Sequence, residues 1–175
     1  MSLKDLEIKN EYRSKITDVV SSFFVPVLSE SCSYKRSVGF FSSSSLIEIS
    51  KGICSLARRG GKIKLVTSPC LSDEDIEAIK TGYKNRDEVI KNALIRELKE
   101  PNNELESDRL ALLAYLITIG TLDIKVAVVD NGIGIYHEKL GLMEDWDDNI
   151  VAFSGSMNES ETAIRKNYEA IDVFC

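Results

Sequence analysis

The chain has 175 residues, with 22 basic against 28 acidic side chains and a net charge of −6. Its 43% hydrophobic content, with 10 glycines and 3 prolines, suits one buried core and excludes a disordered, fibrous or low-complexity chain. The acidic total excludes a histone-like electrostatic coat for nucleic acid, but not a local phosphate-binding site.

Residues 10–28 carry Ile16, Val19, Val20, Phe23 and Phe24 at helical spacing, so one amphipathic helix is expected there, stopped near Pro26. Residues 37–41 (SVGFF) read as a short buried strand. The serine run 42–45 then caps a helix over 46–59, closed by Gly60-Gly61. Residues 62–67 (KIKLVT) alternate like a strand. Ser72 is placed to cap a further helix, and residues 87–98 and 107–119 carry two more, separated by Pro101. The helix over 107–119 is apolar on most sides, which implies core or a dimer interface and is too short for a membrane span. Strands are expected over 124–129, 133–143 and 149–154, with Asp130-Asn131-Gly132 as a hairpin turn between the first two, and a helix over 160–167. Residues 173–175 read as an unfinished strand. Early βαβ crossovers with a late hairpin imply an α/β fold: a mixed β-sheet with helices on both faces. The expected organisation is a single domain over 1–175, with an N-terminal helical segment (1–31) and a helical insertion (84–120).

Cys32, Cys54, Cys70 and Cys175 contain no Cys-x-x-Cys pair, and His137 is the sole histidine, which argues against a Cys/His zinc site. The charged N-terminus is unlike a signal peptide, so a reduced, cytoplasmic, soluble protein without membrane contact is expected. Arg58, Arg59, Lys62 and Lys64 form a basic cluster that reads as a solvated edge ahead of a DNA-backbone track. The loop Glu144-Asp145-Trp146-Asp147-Asp148 reads as a solvated acidic turn.

The chemistry concentrates late in the chain. If His137 and Lys139 lie on one strand, they share a face. Ser154, Ser156 and Asn158 share a face by the same alternation, and Gly155 lets another backbone or a ligand come close. Paired strands would bring together an imidazole, an ammonium, a hydroxyl and an amide. Neutral imidazole can attack phosphorus, and Lys139, Ser156 and Asn158 can hold non-bridging oxygens; no metal or other cofactor is required.

These residues resemble the phospholipase D superfamily signature His-x-Lys-x4-Asp-x6-Gly-Ser-x-Asn at His137, Lys139, Gly155, Ser156 and Asn158. Glu144 stands at the aspartate position, with Asp145 one residue later, and the spacing to Gly155 is longer than the pattern. Some nuclease members use an acidic residue beyond Gly-Ser-x-Asn instead, and Glu169, eleven residues after Asn158, sits there. The resemblance therefore implies a metal-independent phosphodiesterase, favouring a DNA nuclease. Its catalytic residues are His137, Lys139, Asn158 and Glu169, the last orienting His137, and its substrate-binding residues are Ser154, Gly155 and Ser156. Residues 37–42 resemble the phospholipase-D-like domain of bacterial helicase and restriction proteins, which implies a helicase domain in a longer chain. One imidazole cannot both attack phosphorus and protonate the leaving group on the opposite side. Single-motif members solve this as dimers, so a two-fold homodimer with one site across its interface is expected. The alternative reading is a catalytically weak nucleic-acid-binding or docking module of a helicase.

Overall fold

Period-two burial builds the sheet. In β3 (Lys62–Thr67), Ile63, Leu65 and Thr67 are buried while Lys62 and Lys64 face solvent, as their alternation requires. In β2 (Ser33–Val38), Tyr34, Arg36 and Val38 turn inward. The computed structural model describes residues 2–41, 43–68, 115–129 and 135–175, without the Ser43 side chain. The other described strands are β1 (Glu11–Arg13), β4 (Leu122–Val126), β5 (Lys139–Glu144), β6 (Ile150–Gly155) and β7 (Ala170–Phe174). Together they make a seven-stranded mixed sheet in the order β1-β7-β6-β5-β2-β3-β4. The β2–β3–β4 pairs are parallel and the others antiparallel. This is the expected α/β class.

The described helices lie against one face, over a core that includes Tyr12, Phe23, Phe24, Leu28, Ile53, Leu56, Phe153 and Ile171. Phe153 is its aromatic centre, meeting Phe23 at 5.2 Å and Phe24 at 5.5 Å, both edge-on. The facing strand positions, such as Lys35, Leu140, Ser154 and Phe174, are exposed in the single chain.

Several expectations change. Residues 10–28 do not form one helix: they begin with β1, and a π-helical turn (Val20–Phe24) then runs into α1 (Val25–Glu30). Pro26 starts α1 instead of ending the earlier helix, since a proline in the first turn sacrifices no hydrogen bond. The strand expected at 37–41 begins four residues earlier. The helix expected at 46–59 is two, α2 (Ser43–Glu48) and α3 (Ser50–Arg58), and Gly60, at φ 80°, closes the second.

Asp130-Asn131-Gly132, expected as a hairpin turn, lies outside the described residues. β4 sits at the sheet edge beside β3, whereas β5 is central between β2 and β6, so these two strands do not pair. β5 itself starts only at Lys139. Ser72, residues 87–98 and most of 84–120 lie outside the described residues. At the described end of the apolar helix, Leu116 is buried but Tyr115, Ile117 and Ile119 are exposed, so that end is not buried all round. No described helix is long and apolar enough to cross a membrane.

The acidic loop after β5 is not simply solvated. Asp145 is buried and accepts hydrogen bonds from Ser2 Oγ (2.7 Å), Leu3 N (2.9 Å), Asn149 N (2.9 Å) and Asn149 Nδ2 (2.9 Å). Burial alone would raise its pKa. The bonds from Asn149, Ser2 and Leu3 outweigh that and hold the carboxyl well below the usual carboxylate range. Asp145→Ala is expected to lower the unfolding free energy by about 2–3 kcal/mol in urea titration at neutral pH. Because the folded-state pKa is depressed, this contribution is complete above the ordinary aspartate range. It fades as pH falls below that range, so wild type and variant converge in acid.

Candidate active site

The parallel strands β2 and β3 end on the same side of the sheet, and antiparallel β5 begins there, with Lys139 directly opposite Val38. This edge is where open α/β sheets place their ligands. His137 arrives just before β5, exposed and outside any strand. It leans on Gly39: a Cβ there would stand 2.8 Å from His137 Cδ2, 3.0 Å from His137 Cα and 3.2 Å from the Tyr136 carbonyl oxygen. Only glycine permits this approach. On the other side of β2, Ser37 bonds the Tyr136 hydroxyl and donates to Glu138 Oε2 (3.0 Å), while Tyr136 donates to the same oxygen (2.7 Å). Those bonds from Tyr136 and Ser37 lower the Glu138 pKa. The residues on either side of His137 are thus both tied to β2.

Lys139 Nζ lies 3.2 Å from His137 Nδ1 and 3.1 Å from Nε2, and donates to the His137 carbonyl at 3.1 Å. Imidazole and ammonium therefore converge as the sequence implied, although only Lys139 is on the strand. Burial pushes the Lys139 pKa down; the Glu169 carboxylate opposes this, and the Arg36 guanidinium adds to it.

The turn after β6 supplies the rest. Asn158 Oδ1 accepts from Phe40 N (3.1 Å), and the Phe40 carbonyl accepts from Glu159 N (3.2 Å), so the turn is stitched to the residue beside Gly39. A backbone N–H faces the carboxamide oxygen, and among the described hydrogen bonds Asn158 Nδ2 donates to none. Gly155 is required by a backbone: a Cβ there would lie 2.1 Å from the Ala170 carbonyl oxygen.

Three expected roles change with this geometry. Ser154 pairs with Leu140 and Asp172, so its side chain leaves by the face opposite Lys139 and does not join the cluster. Ser156 donates its hydroxyl to Glu169, accepts from Ala170 N at 3.1 Å, and gives its own N–H to the Ala170 carbonyl at 3.0 Å. Both of its donors are committed within the protein. Glu169 is buried and takes hydrogen bonds from Ser156 and from Asn167 Nδ2 (3.0 Å); none of its described hydrogen bonds reaches His137. It acts on the cluster through its charge on Lys139. Glu144 faces Lys35 at the far end of β5, about 17 Å along the strand from Lys139. The basic cluster also lies at the remote edge, where Arg59 donates to the Ser29 carbonyl and Lys62 to the Gly120 carbonyl.

Two features were not read from the sequence: Gly39 as the seat of His137, and a buried ion pair between Arg36 and Glu159. A glycine inside an apolar strand-like run is itself a mark of close approach. Nothing in the sequence separates Arg36 from the other charges in that stretch.

No family model matches the sequence, and no curated protein sequence matches it. Solved structures do. NucT from Helicobacter pylori superposes with a TM-score of 0.54 at 18% identity, covering 93% of this chain and 82% of that one. A variant of yeast tyrosyl-DNA phosphodiesterase 1 gives 0.52 at 7% identity, covering 84% of this chain and 26% of that one. Nuc from Salmonella typhimurium, a phospholipase D family member, gives 0.48 at 17% identity over 93% of this chain and 79% of that one. The chain shares the α/β fold of NucT and of tyrosyl-DNA phosphodiesterase 1.

The seat of the histidine is directly testable. Gly39→Ala is expected to displace the imidazole, read as a shift of the His137 Cε1–H resonance by NMR, while the melting temperature moves by only about 2–4 °C. An unmoved resonance would remove Gly39 from the site.

Proposed function

We propose that the chain is a metal-independent phosphodiesterase acting on nucleic acid, with DNA favoured, through a covalent phosphohistidine. The observation that carries this reading is the convergence at one sheet edge of an exposed imidazole seated on Gly39, an ammonium within 3.2 Å of both ring nitrogens, and the donor end of Asn158 on the adjoining turn. The name of the yeast neighbour supports phosphodiester chemistry on this fold. The resemblance of residues 37–42 supports placing the unit within a larger helicase or restriction protein.

In the proposed reaction a neutral His137 nitrogen attacks phosphorus. The N–P bond forms as the P–O bond to the leaving group breaks. Lys139 and Asn158 Nδ2 stabilise the charge that develops on the non-bridging oxygens. In-line displacement puts the leaving oxygen on the far side of phosphorus, where a second copy of the chain would supply a protonated His137 as general acid. Water then attacks phosphorus, gives its proton to that now neutral imidazole, and breaks the N–P bond. Glu169 and Ser156 serve this scheme from behind, Glu169 by favouring the charged form of Lys139 and Ser156 by holding that carboxylate.

Hydrolysis of bis-p-nitrophenyl phosphate in EDTA tests the reading. Wild type is expected to turn over with a bell-shaped pH dependence, since one imidazole must be neutral and the other protonated. His137→Ala should abolish turnover, and Lys139→Ala should cut it by about 10²–10³-fold. A His137→Ala protein that still cleaves overturns the assignment. Sedimentation should give a dimer at micromolar concentration, and a monomer that is fully active would remove the second imidazole from the scheme.

A further inference from the structure

Arg36 and Glu159 form an ion pair almost without solvent, their side chains 1% and 2% exposed, with Arg36 Nε 2.9 Å from Glu159 Oε2. Arg36 Nη2 also donates to the Met157 carbonyl at 2.6 Å. One guanidinium on β2 therefore grips the turn at two points, on either side of Asn158. Its place is prepared by the sheet. Arg36, Gly141 and Phe153 stand opposite one another across β2, β5 and β6. A Cβ on Gly141 would overlap the Phe153 ring, so glycine lets that ring lie across the sheet and put its centroid 4.9 Å from the guanidinium.

As a stabiliser the pair is poor. Desolvating two charges consumes most of their attraction, and here Glu159 Oε1 and the neighbouring Tyr34 hydroxyl are buried without hydrogen-bond partners. Apolar residues of similar volume would pack this position at no loss of stability. What such residues could not supply is direction: two charge-assisted bonds of fixed geometry to a turn that has no other side-chain anchor on β2 among the described hydrogen bonds. The turn's remaining ties to this part of the chain, at Phe40, are single hydrogen bonds of 3.1 and 3.2 Å.

We propose that the Arg36–Glu159 pair is the positioning device of the site, locking the 156–158 turn onto β2 and so setting where the Asn158 carboxamide stands relative to Lys139 and His137. The inference rests on the phosphodiesterase reading for its catalytic consequence, but not for its structural one.

The test replaces both partners together, Arg36→Met with Glu159→Met, so that no charge is stranded. Melting temperature is expected to equal or exceed that of wild type. Amide hydrogen exchange at Phe40 and Glu159 should accelerate by at least about tenfold, while Leu65 in β3 is unchanged. The kcat for bis-p-nitrophenyl phosphate should fall by about 10²-fold with KM changed by less than about threefold, the pattern of a group misplaced in the transition state. If that variant is insoluble, Arg36→Met with Glu159→Gln gives the same readouts and likewise strands no charge. Unchanged exchange at Phe40 and Glu159, or faster exchange with unaltered kcat, overturns the proposal. A wild-type protein with no phosphodiesterase activity overturns the parent reading alone, and the exchange measurement then decides this one.

Discussion

The antiparallel pairing of β5 with β2 is the contact on which the site depends. It joins two stretches of chain about a hundred residues apart, in a register that sets Lys139 opposite Val38. Because β2 continues into Gly39 just as β5 begins, the residues before Lys139 must cross the end of β2. A side chain at 39 would exclude the imidazole, and glycine admits it. A one-residue slip of β5 against β2 would send Lys139 to the opposite face of the sheet, away from Val38 and Arg36. Register, glycine and histidine therefore form one constraint.

The second half of the site is built by β6 and β7. Gly155 lets the β7 backbone close to a distance that no other residue allows, and that closeness fixes where the chain turns. The turn is then held from two sides. Ser156 and Glu169 bind it to the β7 side, while Arg36 and Phe40 bind it to the β2 side. Asn158 emerges between these two anchors. The polar groups of this region serve geometry more than net stability, since several are buried and Glu159 keeps one oxygen unpaired.

Charge follows from the same arrangement. A chain with net charge −6 still gathers Lys139, Arg36 and His137 at one edge of its sheet. Burial and the Arg36 guanidinium both disfavour the charge on Lys139, and the Glu169 carboxylate opposes them. The acidic loop, which would repel an anion, is at the other end of β5, where Asp145 secures Ser2 and Leu3. Distribution, not total charge, governs what such an edge can bind.

The sequence by itself determined the α/β class, the strand at 62–67, the glycine that closes α3, and the nearness of Lys139 to His137. These depend on local alternation, capping and spacing, all of which are written in neighbouring residues. It misread what depends on partners distant in the chain. β4 and β5 follow one another among the described strands, yet they are kept apart because β5 pairs with β2 and β6 instead. Ser154 carries the right spacing for the site, yet its register with Leu140 turns it to the other face. Glu169 stands where a histidine-orienting carboxylate was expected, yet Ser156 and Asn167 take its oxygens. Tertiary structure decided these points because strand order and register are set by which apolar faces can be buried together, and no short stretch of sequence contains that information.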